Sequence, residues 1–163
     1  YFIENQRSNL NPHDDLEFDE SADIIISHVL DGIDIAKENS LPDELIDFIR
    51  SHHGTTTVQY FYKQFITNFP NEEVDIKDFT YPGPKPFSKE TAILMMSDSS
   101  EAAARSLKNP NAENIDALIE RVINHQINDN QFVNADITLK EITQLKKLFK
   151  KKLVNIHHAR VEY

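Results

Sequence analysis

The stretch ESADIIISHVLDGIDIAKEN, residues 20–39, decides the fold class. Its apolar residues Ala22, Ile25, Ile26, Val29, Ile33 and Ala36 recur at helical spacing, which gathers them on one face of an α-helix. His28 lies beside that stripe. A second helix is expected from Leu41-Pro42-Asp43-Glu44, with proline in the first turn and acids at the positive end of the helix dipole. Leu45, Ile46, Phe48 and Ile49 would face inward, and Gly54 suits the residue just past the end, which places His52 and His53 in the last turn. Thr55 to Phe69 reads as a third helix carrying Tyr60, Phe61, Tyr62 and Phe65. The main break runs from Pro70 to Phe87 and contains Tyr81-Pro82-Gly83-Pro84-Lys85-Pro86, where prolines at alternate positions favour an extended path. An ordered connection of this length is more often functional than incidental. Ser88 can cap a helix that reaches about Leu107, Asn109-Pro110 starts another to about Asn128, and Thr138 with Glu141 forms a capping box for a last helix through His157. The class is all-α, with about six helices and a proline-rich loop over 70–87.

At 163 residues the chain is expected to form a single domain with a sizeable core, and 39% hydrophobic with 27% charged residues is ordinary for a globular protein. Three glycines against seven prolines argue against a β-protein of many tight turns. No cysteine is present, which excludes disulfides and thiolate metal sites and fits a reducing compartment. The net charge of −10 disfavours binding to a nucleic acid polymer. It leaves room for a small phosphorylated substrate, because bound divalent ions would add positive charge locally. No apolar run approaches the length of a membrane span, and no signal peptide opens the chain. The start at Tyr1 reads as a piece of something longer, with a membrane segment elsewhere still open.

Chemistry concentrates at a few positions. Imidazole and carboxylate are donors that Zn²⁺, Fe²⁺ and Mn²⁺ all accept. His28, the doublet His52-His53 and Asp98 fall on three different helices, and two imidazoles at one helix end can point to two ions. Each has a plainer use. A histidine at the edge of an apolar stripe serves as a hydrogen-bonded structural residue, and histidines near a helix C-terminus suit the dipole. His157-His158 is a second doublet with no ligand-type neighbour. Asp98 follows the apolar run 92–96, a costly setting for a lone carboxylate. An ion network with Glu101 and Arg105 accounts for it as well as a metal does. His13-Asp14 sits in a proline turn, where a cap or Asx-turn is expected. The lysines at 146–147 and 150–152 read as a solvated face, with an anionic-lipid contact as the alternative.

Read as words, IISHVLDG (25–32), LPDELIDFI (41–49), HHGTT (52–56), YFY (60–62), YPGPKP (81–86) and DSSEAAARSL (98–107) resemble the later part of the HD-domain phosphohydrolases. They are most similar to the bacterial membrane proteins with seven transmembrane helices and an intracellular HD domain, whose characterised members are cyclic di-AMP phosphodiesterases. YFIENQ (1–6) and NPHD (11–14) extend the resemblance over essentially the whole chain. It implies a helical HD-type domain and a site of two divalent ions, iron, manganese or zinc, at which an activated water attacks phosphorus. His28, His52, His53 and Asp98 would be the metal ligands, with Lys85 and Arg105 as phosphate or structural contacts. The expected activity is hydrolysis of cyclic di-AMP to the linear dinucleotide, in the cytoplasmic domain of a bacterial inner-membrane protein. The alternatives are a nucleotide-binding sensor without turnover and an HD-type nucleotidase. The family's first histidine and its His-Asp dyad should lie just upstream of Tyr1, so the 163 residues alone are expected to be largely inactive.

Overall fold

The computed structural model describes His13 and residues 15–159, with side chains through His157. Helices α1 (Phe18–Glu38), α2 (Asp43–Ser51), α3 (Gln59–Asn68), α4 (Lys89–Arg105), α5 (Ala112–Asn128) and α6 (Leu139–Ala159) follow in order, with a 3-10 turn at Ile76–Phe79. No strand occurs among the described residues, only one isolated antiparallel bridge between Thr57 and Thr80. The all-α expectation therefore holds. Contacts divide the chain into two compact units, one of residues up to Arg50 with Thr55–Gly83, the other of Ser51–Gly54 with residues from Pro84 onward.

In the first unit, α1 packs on α3 and the 3-10 turn. Its centre is Ala22, Phe61 and Phe79, with Phe18, Ile25, Val58, Tyr62, Phe65 and Val74 closing around them. Phe79 is fully buried, and Tyr62 and Phe65 meet its ring at centroid distances of 5.6 and 5.8 Å, edge-on geometries that aromatic rings prefer. Part of the long 70–87 connection is thus core. α1 outlasts the first expectation at its start because Glu17 and Glu20 cap it reciprocally. It ends on Ser40 in a left-handed conformation (φ 55°), with Leu41 and Ser40 N–H groups donating back to the Ala36 and Lys37 carbonyls. Gly32 lets α2 approach, since a Cβ there would lie 3.1 Å from Ile49 Cγ2.

The third helix begins at Gln59 rather than Thr55. The intervening Thr-Thr-Thr-Val run is β-branched, and it takes the extended path instead. Val58 N–H donates to the Phe79 carbonyl at 2.7 Å and Tyr81 N–H to the Thr56 carbonyl at 2.9 Å.

The second unit is a three-helix packing of α4, α5 and α6. Ala92, Met96 and Ala104 of α4, Ile115, Leu118, Ile119 and Ile123 of α5, and Ile142 and Leu153 of α6 form its core. Ser88 caps α4, its hydroxyl accepting from Thr91 N–H while the Thr91 hydroxyl accepts from Ser88 N–H. The cap of α5 is Asn111, two residues beyond the expected start, because its side chain rather than that of Asn109 reaches the free N–H of Asn114. Lys146 bonds Glu120 and Asn124, and Lys150 bonds Asp116, so these two lysines lash α6 to α5.

Glu141 carries two loads. It closes the capping box with Thr138 and accepts a 2.6 Å contact from Lys89 at the start of α4. Hydrogen bonding from Lys89, then from Thr138, pushes its carboxyl from 4.5 down to about 2, and the same contact raises the Lys89 ammonium. A carboxyl lower in the folded than the unfolded state stabilises above its unfolded value. The melting-temperature gap between parent and Glu141→Gln should therefore be full above pH ~4.5 and close as pH falls toward ~2. A gap independent of pH would assign Glu141 a role in packing alone.

Candidate metal centre

α2 is short and ends at the buried Ser51, whose carbonyl accepts from Gly54 N–H at 3.0 Å. His52 and His53 therefore stand in the turn just beyond the helix, one step past their expected place. Gly54 closes the turn at φ +54°, a left-handed conformation that a side chain would strain. A Cβ there would also come within 2.3 Å of Gln131 Oε1 and 3.3 Å of Pro86 Cδ.

The two imidazoles are half-buried and lie with ring centroids 4.0 Å apart, tilted by 40°. Asp98 comes from the middle of α4, where the buried Met95 and Met96 back it. His53 Nδ1 and Asp98 Oδ2 are 3.8 Å apart, with the aspartate side chain 40% exposed. That separation exceeds a hydrogen bond and lies within ion-pair range. Three of the four expected ligands, His52, His53 and Asp98, are thus brought together within one unit.

His28 lies in the other unit, half-buried on α1 with its ring edge-on to Tyr81 at 6.0 Å. Its Nδ1 bonds the Ile25 carbonyl. A carbonyl can only accept, so Nδ1 carries the proton and, in the neutral ring, Nε2 keeps the lone pair. That is the arrangement a metal-ligating histidine needs. The donors fit a borderline divalent ion: neutral imidazoles, a carboxylate and no thiolate.

Lys85 on the proline loop donates to the Asn130 carbonyl at 3.0 Å. Arg105 Nε donates to Glu101 at 2.7 Å, which realises half of the ion network considered for Asp98. His157 sits on α6 away from any cluster of ligand-type groups found among the described residues, and the side chain of His158 lies outside them. His13 forms a turn with Leu16 and sets its ring 5.1 Å from Phe61, while Asp14 lies outside the described residues, as do 1–12. Tyr81 adjoins His28 and Gln131 adjoins Gly54, and neither is legible in the sequence as a site residue, since no local pattern marks a neighbour brought in from far along the chain.

Gly54→Ala should destabilise the protein by about 2 kcal/mol or more, combining the left-handed penalty with the Gln131 clash. A urea titration within ~0.5 kcal/mol of the parent would show that the turn relaxes freely.

No family model matches the sequence. The cyclic-di-AMP phosphodiesterase PgpH of Listeria monocytogenes is 44% identical over 163 residues, all of this chain and 22% of that protein. The cyclic-di-AMP phosphodiesterase PgpH of Bacillus subtilis is 42% identical over the same span, 23% of its length. The chain therefore spans less than a quarter of the curated relatives it matches. The crystal structure of the L. monocytogenes PgpH HD domain in complex with cyclic-di-AMP superimposes with a TM-score of 0.91 at 43% identity, covering 96% of this chain and 72% of that one. Fold, motif order and this degree of identity agree, and the chain belongs to the PgpH HD-domain family.

Proposed function

We propose that this chain is the later part of a metal-dependent HD domain that hydrolyses cyclic di-AMP to the linear dinucleotide. The observation that carries the reading is the approach of the paired imidazoles His52 and His53, in the turn after α2, to a carboxylate of α4, with His53 Nδ1 3.8 Å from Asp98 Oδ2. Membership of the PgpH HD-domain family, with a related domain captured on cyclic-di-AMP, supplies the substrate class.

This reading makes His28, His52, His53 and Asp98 the ligands of two divalent ions, iron, manganese or zinc. When bound, such ions neutralise the phosphodiester, activate the attacking water and hold the leaving oxygen. The chain's own groups then have defined tasks. The Ile25 carbonyl fixes the His28 tautomer, so that the Nε2 lone pair is left for an ion. Asp98 supplies the negative charge that binds cations and balances two neutral imidazoles. Lys85 and Arg105 would contact phosphate, Lys85 through protons beyond the one it gives Asn130, Arg105 by keeping or exchanging its Glu101 contact. No described helix is long and apolar enough to cross a membrane. The relatives are more than four times the length of this chain, and in this reading the domain faces the cytoplasm from a bacterial inner membrane.

Four ligands for two ions leave each under-coordinated by protein, so residues 1–163 alone should load metal poorly and turn over little. In the full-length, metal-loaded protein, His28→Ala, His52→Ala, His53→Ala and Asp98→Ala should each lower kcat/KM for cyclic di-AMP at least about 100-fold, with metal content falling in parallel. Asp98→Ala that keeps both metal and activity would remove the reading. Binding of cyclic di-AMP without any cleavage in the parent would leave a sensor in its place.

Lys85→Ala should raise KM several-fold with little change in kcat, the signature of uniform phosphate binding. An unchanged KM would make the Asn130 tether its whole role.

A further inference from the structure

Gln131 is unusual among the polar residues of the second unit. It lies in the connection after α5 and yet is only 1% exposed. Its Nε2 donates to Asp129 Oδ2 at 2.7 Å, which turns the amide oxygen the other way, against Gly54. The connection that carries it is held by the backbone. Gln131 and Asn130 N–H groups return to the Gln126 and Ile127 carbonyls at 3.0 Å each, with Asn130 left-handed at φ 55°. Lys85 binds the Asn130 carbonyl as well. A rigid loop thus delivers one desolvated side-chain amide to the residue that follows the histidine doublet. Burying such an amide costs free energy unless its groups are satisfied, whereas an apolar side chain would fill the space without that cost.

We propose that Gln131 is a positioning residue for the imidazoles of His52 and His53, acting through Gly54. The inference rests on the metal reading of that doublet given above. Gly54 is bonded directly to His53, and the space a Cβ would take on its left-handed backbone is filled by the Gln131 oxygen and, next to it, by Pro86 Cδ. A shift of Gly54 therefore displaces both rings, and ligand constellations tolerate only about 0.5 Å of error.

The test uses the full-length protein with two readouts. Gln131→Met keeps the side-chain volume and removes both amide groups; Gln131→Ala is the second variant. Leu118→Ala, a core change in α5 remote in sequence from the loop, controls for lost stability. In the metal-free protein labelled with ¹⁵N-histidine, both Gln131 variants should move the ring nitrogen resonances of His52 and His53, and Leu118→Ala should not. Titrated with Mn²⁺ alone, the Gln131 variants should bind about ten-fold more weakly. Leu118→Ala should stay within about two-fold of the parent. Unmoved ring resonances with parental Mn²⁺ affinity would overturn the proposal, as would an equal effect of Leu118→Ala. If His52→Ala binds Mn²⁺ as tightly as the parent, the metal reading fails instead, and the resonances of the metal-free rings still decide whether Gln131 positions them.

Discussion

The chain leaves α2 through a left-handed glycine, Gly54, against which Pro86 and Gln131 of the second unit are packed. A right-handed continuation at Gly54 would carry the doublet onward as another helical turn. At φ +54° the backbone instead reverses at once, and the two imidazoles sit side by side beyond the buried Ser51. Pro86 and Gln131 leave no room for a side chain at that reversal. Glycine is fixed there by torsion and by contact together, two constraints that usually act separately.

Much of this was legible because helices advertise themselves locally. The stripe from Ala22 to Ala36, the Ser88 cap and the Thr138–Glu141 box each lie within a few turns of sequence, and all appear in the structure. What failed had a cause far along the chain. The Thr-Thr-Thr-Val run lost its helix to a pairing with Thr80, a partner more than twenty residues away that periodicity cannot register. The ligand types were readable from the order of motifs. The groups that hold them, Tyr81 beside His28 and Gln131 beside Gly54, were not, since a glutamine in a loop looks like any solvated residue until burial is known.

Polar groups in this molecule tend to do double service. Glu141 caps one helix while pairing with the first residue of another, which ties the starts of α6 and α4 together. Gln126 reaches from α5 to the Ser99 hydroxyl at 2.7 Å, and that hydroxyl donates to the Met95 carbonyl. The turn of α4 that presents Asp98 is thereby braced from within. Surface ion pairs alone contribute little, but pairs joined to caps and to helix contacts resist separate loss.

The chain contains two sulfur atoms, both in methionines, and both are buried immediately before Asp98, Met95 at 1% and Met96 at 0% exposure. With no cysteine anywhere, peroxide in the surrounding solvent meets no sulfur at the surface of this chain. Sulfoxide formation would have to await an opening of the α4 core, and it would then lodge a polar group in that core within one turn of the aspartate. Resistance to oxidative damage and retention of the fold are, for this helix, a single property.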